Sequence, residues 1–89
     1  MCEKKIYVRT SVEFCDDGSM RPRKIEWLDG RVYPIERVLS VRPCHAAQAG
    51  GQGDRYTVLV QGQTRYIYFE HSLDPDDQRV GRWFVERRG

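Results

Sequence analysis

The chain has 89 residues, which suffices for one domain that buries roughly 60 to 65 % of its unfolded surface and leaves no room for a second core. Hydrophobic residues at 39 % and charged residues at 31 % exclude a disordered chain, and the longest apolar runs, "TVLV" and "YIYF", are far too short to cross a bilayer. The net charge of +2 is the difference between 15 basic and 13 acidic side chains, and the acids are interleaved in "ERRG", "DDQR" and "IERV", which excludes one large basic field.

Twelve of the basic residues are arginine, the side chain that pairs bidentately with phosphates and carboxylates and stacks on rings. The opening "MCEKKIYVR" lacks the apolar core of a secretory leader. The cytoplasm is therefore the expected compartment, Cys2 is not expected to carry a lipid, and no membrane partner is expected.

Period-two alternation between turn residues recurs along the chain, the pattern of an antiparallel all-β domain over residues 1–89. Six strands are expected. The first covers about residues 4 to 14, with Ile6, Val8, Val12 and Phe14 on one parity, and "CDDGSMRP" breaks it. The second and third flank Asp29-Gly30, where the turn decides which residues share a face. A two-residue turn would mix apolar and charged residues on each face. A three-residue loop, Leu28-Asp29-Gly30 with Gly30 left-handed, gathers Ile25, Trp27, Tyr33 and Ile35 on one side and sends Lys24, Glu26, Val32 and Pro34 to the other. That register puts Pro34 outward, where a missing donor is tolerable, and requires an irregularity near Glu36-Arg37 to bring Val38 inward.

The fourth and fifth strands, "RYTVLVQ" and "TRYIYFEH", flank Gly62. A two-residue turn there places Tyr56, Val58 and Val60 with Ile67 and Phe69, and leaves Thr57, Leu59, Tyr66 and Tyr68 opposite. "RWFVER" supplies the sixth strand. Trp27, Ile25, Val58, Ile67, Phe69 and Val85 are expected to face one core. So short a chain must cover the apolar face of its sheet, and strong curling into a small SH3-like or OB-like barrel is the economical way to do it. An open sheet that dimerises is the alternative.

No constellation carries an enzyme's chemistry. Cys2, Cys15, Cys44, His45 and His71 lack the paired short spacings of a zinc site. Cys44 and His45 are neighbours whose side chains diverge on an extended chain, with no third group to orient them. The glycines of "PCHAAQAGGQGD" lack the following Lys-Ser/Thr of a phosphate loop, and "DPDDQ", with Asp74, Asp76 and Asp77, lacks the glycine and distal glutamate of a calcium loop. Neither catalysis, a metal nor a cofactor is expected.

The functional candidate is a surface. Tyr66 and Tyr68, with Arg65 beside them and Arg55 and Arg82 within reach, form the aromatic-plus-arginine mixture that stacks bases and clamps phosphates. The plainer alternative leaves the two phenols at a rim with their hydroxyls in water. The expected function is thus a non-enzymatic binding module, leaning to single-stranded nucleic acid. A protein-interaction or homodimerising module working through an exposed strand edge is the alternative, so the chain is expected as a monomer or a weak homodimer.

"IEWLDGRVYPIERVL", "GGQGDRYTVLVQGQTRYIYFE" and "GRWFVE" resemble a family of short bacterial all-β proteins with no assigned activity. The resemblance covers most of the chain and implies a stand-alone β domain. It carries over no catalytic or binding residue. Against that pattern, "HSLDPDDQRV" reads as a tolerated loop insertion.

Overall fold

The structure, a computed structural model, describes residues 3–45, 52–72, 76 and 79–88. They form eight strands in chain order: β1 (Glu3–Tyr7), β2 (Arg9–Phe14), β3 (Met20–Glu26), β4 (Val32–Pro34), β5 (Arg37–His45), β6 (Gln52–Val60), β7 (Gln63–His71) and β8 (Gly81–Arg88). Five of them make one antiparallel sheet in the order β1-β8-β7-β6-β5, and three make a second in the order β2-β3-β4. Among the described residues, no helix is long and apolar enough to cross a membrane.

Eight strands replace the expected six because two long strands each break at a corner and change sheets. At Val8 the backbone N–H donates to Trp83 O at 3.0 Å in the large sheet, and the next residue, Arg9, pairs with Glu26 in the small one. At the other corner Ile35 N–H donates to Arg23 O and Glu36 N–H to Leu59 O, both at 2.8 Å. That corner lies at the irregularity the parity argument requires, and Leu39 then bulges out of the ladder between Val38 and Ser40. The expected SH3-like or OB-like barrel is corrected by this geometry. Neither sheet curls strongly or closes on itself, because the chain crosses between layers at two sharp corners.

Both Asp-Gly hairpins use one device. In the turn after β3, Trp27 N–H donates to Arg31 O and Gly30 N–H to Trp27 O, Asp29 accepts from Arg31 N–H, and Gly30 has φ +88°. In the turn after β2, Cys15, Asp17, Gly18 and Ser19 repeat these bonds, with Gly18 at φ +90°. The three-residue loop with a left-handed glycine puts Ile25 opposite Tyr33 and Lys24 opposite Pro34, as expected from face matching. At the third hairpin, Gln61 and Gly62 both have positive φ, so Val60 pairs with Gln63 and Tyr56 with Ile67. This is the two-residue turn whose twist matches that of paired strands.

The core fills the space between the sheets. Val8, Ile25, Ile35, Tyr56, Val58, Val60, Ile67, Phe69 and Trp83 are buried together, and Trp27 and Val85 pack against them partly buried, so all six expected core residues lie in one cluster. Trp83 is held between the rings of Tyr56 and Phe69, with centroids 4.9 and 5.0 Å away. Each fully buried aliphatic or aromatic side chain contributes about 1.5 to 3 kcal/mol of transfer free energy. Phe14, at the end of β2, shares the inward parity but is largely exposed.

Candidate nucleic-acid interface

Alternation along the large sheet turns one set of side chains to the core and the other to the outer face. Register then lines the outer set up across all five strands. Arg42 lies opposite Arg55, Arg55 opposite Tyr68, Tyr68 opposite Phe84, and Phe84 opposite Tyr7. The row runs from two cations on β5 and β6 to three rings on β7, β8 and β1.

The ring half of the row is a second, smaller apolar cluster. Phe84 is fully buried although it faces outward, because Tyr68 stacks on it at 5.0 Å and 11°, Tyr7 meets it edge-on at 5.8 Å, and the Lys5 ammonium lies 5.0 Å over its centroid. Lys5 reaches across Phe84 to Glu70, 2.9 Å away. The Tyr7 hydroxyl donates to the same carboxylate at 3.1 Å, and Arg82 approaches it at 3.3 Å while lying 4.0 Å over the Tyr7 ring. Partial burial pushes the Glu70 carboxyl up, but the hydrogen bonds from Lys5 and Tyr7 and the charges of Lys5 and Arg82 outweigh it, so its pKa lies below the ordinary value.

The cationic half is different. Cross-strand neighbours on one face sit close enough for like charges to repel, yet Arg42 and Arg55 oppose each other directly. Among the described residues, no carboxylate pairs with either. Arg55 lies 4.9 Å over the ring of Tyr66, and Tyr66 is 51 % exposed.

The structure thus separates the sequence-derived candidates. Arg55 and Tyr66 are in contact on the outer face. Tyr68 is on that face too, but only 7 % exposed beneath its neighbours, so it offers no open ring. Arg82 is engaged by Glu70 and Tyr7. Arg65 lies opposite Val58, hence on the core-side parity, where it bonds to Gln63. Sequence reasoning missed Arg42, Tyr7, Phe84 and Lys5. Once Trp83 and Val85 are placed inward, alternation alone turns Phe84 outward, but the pairing of the first strand with the last is not written in any local pattern.

The residues set aside as metal ligands divide as well. Cys15 is a free, partly buried thiol, and His71 Nε2 lies 3.0 Å from Asp54 Oδ2. Cys2, the side chains of Cys44 and His45, the glycine-rich segment 46–51, and Asp74 and Asp77 lie outside the described residues. Among the described residues, no three of His, Cys, Asp and Glu gather around a common point suited to a cation.

No family model, curated protein or solved structure matches the chain.

Proposed function

We propose that the protein is a non-enzymatic module that binds single-stranded nucleic acid on the outer face of its five-stranded sheet. One observation carries the reading: Arg42 and Arg55 face each other without a carboxylate partner among the described residues, beside the half-exposed ring of Tyr66. A like-charged cross-strand pair costs stability, and a phosphate between the two guanidinium groups relieves the repulsion. Tyr66 then offers a face for one base, and Tyr7, 37 % exposed and backed by Arg82, a second ring across the sheet.

Fluorescence anisotropy with a labelled eight-nucleotide oligothymidylate, titrated at several salt concentrations, tests this. Each phosphate contact adds about −0.7 to the slope of log K against log salt for a single strand, so Arg42→Ala and Arg55→Ala should each flatten it by about that much. Tyr66→Ala should weaken binding by about 1 to 3 kcal/mol at all salt concentrations. Absence of binding by the wild type at low salt rejects the reading.

A second reading has its own observation. β5 is an edge strand that exposes Leu39 and Val41 at 47 and 48 %, which suits association with another protein or another copy, although the Leu39 bulge and Pro43 interrupt the edge. Light scattering of the wild type and of Leu39→Asp separates the two. Concentration-dependent dimerisation lost in the variant, with no strand binding, selects the edge.

A further inference from the structure

The ladder between β7 and β8 runs from His71–Gly81 to Tyr68–Phe84 and stops. Beyond Phe84, β8 stays paired with β1, whereas the first half of β7, residues 63–67, is paired, among the described residues, with β6 alone. The sheet forks, and a cleft of about 700 Å³ lies in the fork. Its outer lip is Tyr66 and Tyr68, one wall is Val85 and Glu86, and its floor is Ile25 and Tyr33 from the small sheet with Trp27 from the hairpin that joins β3 to β4.

The open strand edge adds backbone donors and acceptors to this ring-lined space, whose lining also includes the side chains of Arg65 and Glu86. Ser72 N–H donates toward the β8 side, to Val80 O at 3.1 Å. Backbone groups alternate sides along an antiparallel strand, so Thr64 and Tyr66 turn their N–H and C=O groups the same way, into the fork. Donors and acceptors fixed at an edge, beside aromatic faces, are what an unpaired base requires on its hydrogen-bonding edge and its two faces.

We infer that the fork receives one splayed nucleobase from the strand held on the outer face. This rests on the nucleic-acid reading and names the substrate class: an unpaired strand free to turn a base inward. Tyr66 belongs to both surfaces, lying against Arg55 on the outer face and lining the cleft. Arg65 also lines the cleft and is exposed, so guanidinium groups flank the entrance on both sides of the sheet. A base in a duplex must first be unstacked and unpaired, at a cost of a few kcal/mol, before it can enter.

The chain has two tryptophans, and only Trp27 lines the cleft. Protein labelled with 5-fluorotryptophan therefore gives two ¹⁹F resonances, assigned with Trp27→Phe. Three probes are compared: an eight-nucleotide oligothymidylate, an abasic sugar-phosphate chain of equal length, and the duplex of the oligothymidylate with its complement. The inference expects the Trp27 resonance to move with the oligothymidylate and to stay in place with the abasic chain. Binding of the duplex should be at least tenfold weaker than that of the single strand. Val85→Phe, which fills the cleft without touching Arg42, Arg55 or the outer ring face, should abolish the Trp27 response and weaken binding about tenfold while leaving the salt slope unchanged. If oligothymidylate binds with its normal salt slope while Trp27 stays silent in the unsubstituted protein, the base pocket is wrong and the outer-face reading stands. If no strand binds, both fail. A Trp27 shift with an alternating Thr-Val octapeptide and none with oligothymidylate assigns the open β7 edge to strand addition and overturns the inference.

Discussion

Gly81 opens β8 opposite His71, and replacing it with alanine is the sharpest available probe of how the two halves of the large sheet are joined. A Cβ at this position would lie deep inside the contact radius of the Glu70 carbonyl oxygen, 2.7 Å from Phe69 Cζ and 3.1 Å from Phe69 Cε2. The phenylalanine ring is buried in the main core, and the carbonyl belongs to the neighbouring strand, so neither can yield without moving the ladder. Overpacking of this kind costs about 1 to 3 kcal/mol, and a backbone obstacle puts Gly81→Ala near the upper end. Restricting the unfolded chain returns about 0.4 to 1 kcal/mol. The net loss is therefore about 2 kcal/mol, or about 8 to 16 °C in Tm for a domain of this size. Thermal unfolding followed by far-ultraviolet circular dichroism, with urea titration alongside, measures it. Gly62→Asn is the control, since an added Cβ there meets nothing within 4 Å and asparagine tolerates the left-handed turn conformation. A Gly81→Ala protein that melts with the wild type would refute the reasoning, because it would mean that the close approach of β8 to β7 does not exist in solution.

Ile67 is only 1 % exposed at the centre of the core, so Ile67→Ala should lose about 2 to 5 kcal/mol in urea unfolding; a loss under 1 kcal/mol would place β7 elsewhere. Gly30→Ala must hold an L side chain at φ +88° and should cost about 1 to 2 kcal/mol, although the space around it is open, and Gly30→Asn should recover part of that. Glu70 has a lowered carboxyl pKa in the folded chain, so its contribution is present in full above the ordinary carboxylate range and is lost as pH falls through its lowered native value. Glu70→Gln should accordingly be less stable than wild type by about 1 kcal/mol at pH 7, with the gap closing as pH falls below the ordinary carboxylate range in unfolding titrations; a gap that widens on acidification would contradict the assignment.

Local pattern determined a good deal of this protein. Two Asp-Gly pairs and one Gln-Gly pair set three hairpins, because a left-handed residue has few places to go in a tight turn. Matching faces across those turns then placed Ile25 and Trp27 with Tyr33, and Tyr56 and Val58 with Ile67 and Phe69. The same alternation put Tyr66 and Tyr68 on one outer face. What alternation does not carry is the cover over a given side chain. Tyr68 and Tyr66 have the same parity, yet Tyr68 is sealed by Phe84 from β8 while Tyr66 stands open where β8 has turned away.

The tertiary structure decided the rest, and each case involves a partner distant in sequence. The two corners at Val8 and at Ile35-Glu36 turned a presumed barrel into two open sheets. Each corner exists only because hydrogen-bond partners, Trp83 for one and Arg23 with Leu59 for the other, wait in different layers. The pairing of β1 with β8 brought Tyr7 and Lys5 onto Phe84 and Glu70, across 63 to 65 positions of chain for the bonds to Glu70. Period-two patterning specifies which way a side chain points relative to its own strand. It leaves open which strand lies alongside and where a ladder ends, because those depend on the free energy of the whole packed arrangement rather than on any local segment.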